Sequence, residues 1–225
     1  MLPRDLKIQI QRKRIKNIYI RIGRDGAVKV TAPWYSQETE IEDFVLKKEA
    51  WIRQCIARIP QLPTYHYQSG EIHDYAGRKM TLLIHQGTKN GGWIDHDHHI
   101  IHVALHSSHG NAKKIYETLM REELYKYIQY FIEKWAPCMH VCPGHITIRK
   151  MKSRWGSCQV RTGDLCFALD LMTKPGPCIE AVVVHELNHL LERGHTPRFH
   201  ALMAHWLEDY KKRDALLNEW PKEFV

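Results

Sequence analysis

Val182 to His200 reads VVVHELNHLLERGHTPRFH, and its residue types and spacing are those of a metal centre. His185 and His189 are four residues apart, and Glu186 directly follows the first. Helical residues four apart stand one above the other on the same face. Both imidazoles can therefore meet a single ion. Zinc accepts neutral imidazole nitrogen at about 2.0–2.1 Å, and a catalytic zinc takes three protein ligands plus water. Glu186 lies about 100° around the helix, where its carboxylate reaches the water without ligating the ion, which is the logic of H-E-x-x-H. Ile179 to Val184 is a largely apolar run, which predicts a buried helix. Two imidazoles and a carboxylate buried there without partners carry a desolvation cost that a metal removes. The competing reading is a surface turn of helix with solvated His and Glu.

A third ligand has five candidates: Glu192, His195, His200, His205 and Glu208. Gly194 suits the left-handed residue that ends a helix, and Thr196-Pro197 caps and opens the next one. His195 then falls at a chain reversal and can fold back over the end of the first helix. The spacing becomes H-E-x-x-H-x5-H, and His195 is the preferred third ligand. His200 and His205 lie on the following helix, as supporting or ordinary histidines.

These groups need a scaffold. KIQIQRKRIKNIYIRIGRDGAVKVTAP alternates at period two around Ile8, Ile10, Ile18, Ile20 and Ile22. It reads as strands with a tight turn at Asp25-Gly26. Ser36 is placed to cap a helix from Gln37 to Arg58, with an inward stripe from Ile41 to Ile56. A Pro-punctuated linker follows at Arg58 to Tyr65. Gly70 to Leu105 reads as four short strands with turns at Ala76-Gly77, Asn90-Gly91 and His96 to His98. A long helix is expected over Ala112 to Lys134, with Ile115, Leu119, Leu124, Ile128, Phe131 and Ile132 inward. Strands are expected around Thr147 to Lys150 and Leu165 to Leu169, with Thr162-Gly163-Asp164 as a turn. Pro175 to Pro177 open the H-E-x-x-H helix, and a last helix runs from Thr196-Pro197 to about Asp214. The fold class is α+β: a β-rich N-terminal region with one long helix over residues 1–105, then a metal-binding catalytic region over 106–225.

The 225-residue chain is 44% apolar and 26% charged, as a globular protein is. It has no apolar run of transmembrane length and no signal-peptide pattern at its start. Six cysteines without framework spacing read as reduced thiols, so a cytoplasmic location is expected. The formal charge of +8 biases the chain towards acidic partners.

The longer segments carry a resemblance. MKSRWGSC, a turn and a strand, and then VVVHELNHLLERGHTPRF resemble the YgjP-like family of zincin-fold metallopeptidases and metal-dependent hydrolases. VKVTAPWYSQETEIEDFVLKKEAWI and SGEIHDYAGRKMTLLI are similar to the N-terminal region of that family. The resemblance implies a zincin-like catalytic region, Zn2+ on His185, His189 and His195, and Glu186 as general base. The third-histidine spacing is also similar to that of metzincins and of SprT/Spartan-type DNA–protein crosslink proteases. Glu192, however, stands where metzincins have glycine. Two positions depart from the family pattern: Asn188 replaces its usual alanine, and His200 replaces the second of an aromatic pair. Both bear on substrate more than on metal.

The expected function is zinc-dependent peptide-bond hydrolysis of a peptide or protein. Zinc brings the pKa of bound water towards about 7, and Glu186 takes the proton and passes it to the leaving amine. Arg154, Ser157 and the backbone of RWGSC are candidates to stabilise the oxyanion. Trp155-Gly156-Ser157 reads equally as a packed turn, in which Gly156 permits a close approach. One alternative is a metal-dependent nucleotide phosphohydrolase, of nucleoside triphosphate pyrophosphatase type, although no P-loop is present. Another is a nucleic-acid-associated protein using QRKRIKNIYIRIGR, a run whose simpler reading is a solvated strand face. No membrane partner is expected. Cys138 and Cys142 in CMHVC, and Cys158, read as packed thiols rather than metal ligands. The histidines of HDHHIIH alternate between faces and do not converge on an ion.

Overall fold

The structure, a computed structural model, describes residues 2–3, 5–23, 26–57, 65–107, 110–151 and 154–217. Asp25, most of the expected linker (Arg58 to Thr64), and Lys152 and Ser153 of the KSRWGSC segment lie outside the described residues. The chain divides into two compact units, with the division at residues 63–64.

In the first unit, β1 (Ile8–Lys13), β2 (Tyr19–Ile22) and β3 (Val28–Pro33) form a sheet in the order β1-β3-β2. β2 and β3 are antiparallel, and Gly26 at φ +74° serves the connection between them. β1 pairs parallel to β3. The period-two alternation buries Ile20, Ile22, Val28, Val30 and Ala32 on one face. They pack with Ile41, Val45, Ile52 and Cys55 of the following helices.

The expected single helix from Gln37 is two helices, α1 (Glu38–Lys47) and α2 (Glu49–Ala57). The apolar stripe runs through both, but the backbone leaves helical geometry at Lys48, at φ −102° and ψ 2°. Ser36 does not cap. Gln37 holds the N-cap position without a side-chain bond, while buried Ser36 gives its carbonyl oxygen to the Arg12 guanidinium.

The second unit opens with β4 (Ile72–Tyr75), β5 (Arg78–Gln86), β6 (Gly91–Asp95) and β7 (Ile100–Leu105), in sheet order β4-β5-β7-β6. Ala76 and Gly77, at φ 48° and 79°, make the expected hairpin turn between β4 and β5. Asn90-Gly91 makes no hairpin turn, because β5 pairs parallel with β7 and not with β6. The expected grouping placed these strands with the N-terminal region. They instead belong with the C-terminal elements, because Met80, Leu82, Ile101 and Val103 share one buried cluster with α3 (Ala112–Met139).

Asn111 caps α3, its side chain accepting from the Lys114 N–H at 3.0 Å. Leu119, Leu124, Ile128, Phe131 and Ile132 are buried as expected, and Ile115 is half-buried. The helix continues past Lys134, takes Pro137 into its last turn, and stops at His140 with φ 52°.

A three-stranded sheet comes next, with β8 (Ile146–Arg149) and β9 (Gly156–Gln159) flanking β10 (Asp164–Ala168). β9 is an addition to the expected strands. A short 3-10 helix (Leu169–Thr173) leads to α4 (Gly176–Asn188), α5 (Pro197–Trp206) and α6 (Tyr210–Leu217). The expected last helix is thus broken, at Leu207, whose φ of −135° and ψ of 97° are extended. Val182, Val183 and Val184 are at most 5% exposed, so the H-E-x-x-H helix is a core helix. Among the described residues, no helix is long and apolar enough to cross a membrane.

Candidate metal centre

α4 carries His185 and Glu186 and ends at Asn188, so His189 is its C-cap rather than an interior residue. The chain keeps turning after it: the Leu190 N–H reaches the Leu187 carbonyl, and those of Leu191 and Glu192 reach Asn188. Gly194 is absent from the left-handed residues, so the reversal does not use it as a C′ glycine. The turn is built by this tightening of the helix end instead. Thr196 caps α5 as expected, its side chain accepting from the Phe199 N–H at 3.2 Å.

This path brings His195 back onto the helix end. One ring nitrogen from each of His185, His189 and His195 lies within 4.8 Å of the others. The Nε2 atoms of His185 and His195 are 3.0 Å apart. Nitrogens bound to a tetrahedral zinc at about 2.0–2.1 Å stand about 3.3 Å apart, close to the spacing of the His185 and His195 nitrogens. His189 Nδ1 meets the Glu192 carbonyl oxygen at 3.2 Å. A carbonyl only accepts, so Nδ1 carries the proton and Nε2 keeps its lone pair for a metal.

Phe199 organises these rings, a role the sequence did not suggest. Its buried ring is 4.9, 4.8 and 4.8 Å from the centroids of His185, His189 and His195. Asn188 fixes it in place. That fully buried amide donates through Nδ2 to the Phe199 carbonyl at 3.1 Å, tying α4 to the start of α5. Asn188 thus provides a strut behind the histidines.

Glu186 is 4% exposed, and its buried Oε2 has no hydrogen-bond partner among the described residues. Burial pushes its carboxyl up to about 8, against the attraction of the Arg154 charge. A buried, unsatisfied carboxyl is costly, and such groups concentrate at functional sites. β9 covers it. A Cβ on Gly156 would come 2.5 Å from Glu186 Oε1 and 2.7 Å from its Cγ. Gly156 is therefore needed for close approach, and glycine within a strand is the signal for it. Its segment is a strand rather than a turn: Ser157 pairs with Cys166 and Cys158 with Leu165 across β10.

The remaining candidates do not join the cluster. Glu192 forms a 3.6 Å ion pair with Arg198. His200 is exposed, 6.5 Å from the His195 ring, and its Nδ1 meets the Tyr210 hydroxyl at 3.2 Å. His205 packs on Trp206 at 4.6 Å. Burial, with the Glu186 charge, pushes the Cys158 thiol up to about 11, so it stays protonated. His98 pairs with Asp95, and His102 with His85. Among the described residues, His185, His189 and His195 form the one group of three arranged to hold an ion.

No curated protein matches the chain. Residues 16–220 match the family described as YgjP-like, metallopeptidase domain. An α+β chain with a histidine triad at the end of a buried helix, matched over nearly its whole length, thus belongs to the YgjP-like metallopeptidase family.

Proposed function

We propose that the protein is a zinc metallopeptidase, with His185, His189 and His195 as ligands and Glu186 as general base. The observation that carries this reading is the convergence of three imidazole nitrogens within 4.8 Å beside a buried carboxylate. Three neutral nitrogens suit zinc. A zinc ion held there supplies Lewis-acid polarisation of a carbonyl and acidifies water.

The chain's own groups do the rest. Positive charge within about 4–6 Å favours the ionised form of a carboxyl, so Glu186 in the loaded centre is a carboxylate ready to accept a proton. It holds that proton and returns it to the leaving amine. Gly156 lets β9 close over Glu186 and excludes solvent from one side of the carboxylate. His189 is held in one tautomer by the Glu192 carbonyl, and Phe199 fixes the spacing of the three rings.

The test is hydrolysis by the zinc-loaded protein. Casein is expected to be cleaved, with loss of cleavage on chelation and recovery on adding zinc, while nucleoside triphosphates are left intact. Nucleotide hydrolysis without casein cleavage would replace this reading with phosphohydrolysis.

A further inference from the structure

The outer face of the first unit's sheet has no place in this chemistry, and its composition is unusual. Lys7 to Pro33 holds eight Lys or Arg residues against one acidic residue, Asp25. The observed register organises part of that charge. Gln9, Lys29 and Arg21 form one row across β1-β3-β2, and Gln11, Thr31 and Tyr19 form the next. Both rows alternate with the buried set, so they lie on the face turned away from α1 and α2. All but half-buried Thr31 are exposed, with Tyr19 at 41%.

Lys29 and Arg21 oppose each other directly across an antiparallel pair. Like charges in that arrangement destabilise a sheet, and among the described residues neither has an ion-pair partner. At its Lys13 end the Trp34 N–H donates to the Lys13 carbonyl at 3.0 Å. This places a second aromatic station there, Trp34 and Tyr35, which are 67% and 61% exposed.

We propose that this face binds single-stranded nucleic acid. Arg21, Lys29 and Lys13 meet phosphates, Tyr19 stacks on an unpaired base, and the Gln9 and Gln11 amides hydrogen-bond base edges. Sheet faces that pair cations with exposed aromatic rings bind single strands in this way, because every base has a stackable face. A duplex hides those faces, which favours the single strand here.

The test uses the full chain and a fluorescein-labelled oligothymidylate about 15 nucleotides long. Anisotropy should show binding that weakens steeply between about 50 and 200 mM salt. Tyr19→Ala should weaken it by about 5- to 100-fold without changing the salt slope, and Tyr19→Phe should restore it. The Arg21→Gln/Lys29→Gln variant should bind at least about tenfold more weakly and flatten the salt slope. Its thermal midpoint should be equal or higher, since the opposed charges are gone, and so excludes unfolding as the cause. Casein cleavage should be unaffected in all variants, which separates this result from the fate of the peptidase reading. The proposal is overturned by absence of binding, by binding that these variants leave unchanged, or by tighter binding to a duplex of equal length or to phosphatidylserine vesicles.

Discussion

Glu186→Gln is expected to lower casein hydrolysis by about 10²- to 10⁴-fold, the usual contribution of a positioned general base. Zinc content should stay the same, because residue 186 is not among the three converging nitrogens. The amide fills the same space under β9 but cannot take a proton. Folding should change little: the amide takes the place of a carboxyl whose charged form burial already disfavours, and whose Oε2 has no hydrogen-bond partner among the described residues. The variant should unfold at an equal or higher urea concentration. Gly156→Ala should reach a similar end by another route. The new methyl overlaps the Glu186 side chain, so the carboxylate or β9 must shift, and activity should fall while the metal stays. Unchanged activity in Glu186→Gln would remove the residue from the mechanism.

The largest stability effect is expected at Glu180, one turn and a half before His185. Its buried carboxylate accepts from Lys134 Nζ at 2.7 Å, Trp135 Nε1 at 2.8 Å and Arg213 at 2.6 Å. These bonds join α4 to α3 and α6. Glu180→Ala should cost about 2–4 kcal/mol, towards the lower end of what breaking a buried pair costs, because the mostly buried Arg213 loses one of its two carboxylate partners and keeps Asp209. Glu180→Gln, which keeps acceptor oxygen but not charge, should cost about 1–3 kcal/mol.

The pH dependence carries a sign. Burial alone would raise the Glu180 pKa, but the bonds from Lys134, Arg213 and Trp135 outweigh it and hold the group below its ordinary 4.5. A depressed carboxyl stabilises the fold fully above the unfolded pKa and loses that contribution as pH falls through the folded one. The wild type should therefore lose this increment of stability below about pH 4.5, and Glu180→Ala should not. Urea unfolding at pH 7 and in acid measures both, and a difference under about 1 kcal/mol at pH 7 would contradict the reading.

The convergence of His185, His189 and His195 was legible because it rests on local geometry. His185 and His189 are one helical turn apart, and Thr196-Pro197 fixes where the chain must turn back. The means of turning was not legible, because Gly194 offers a left-handed conformation without requiring it. β9 was hidden for a related reason. Gly156, Ser157, Cys158 and Gln159 have no alternation of their own, and the segment becomes a strand only through its pairing with β10. The helix breaks at Lys48 and Leu207 leave the apolar stripe in phase, so periodicity passes over them. Phe199 reads as an ordinary core residue, since its three nearly equal distances to the histidines exist only once α5 folds back.

The central claim is that three imidazoles hold one ion, and zinc-binding stoichiometry and affinity test it most directly. The purified chain, loaded with zinc and dialysed, should retain one equivalent per chain. Competition with a chelating dye should show at least about 100-fold weaker binding in each of His185→Ala, His189→Ala and His195→Ala, since losing a ligand costs more than losing its supporting bond. Zinc held as tightly by the three variants as by the wild type, or no zinc held by the wild type, would contradict the account.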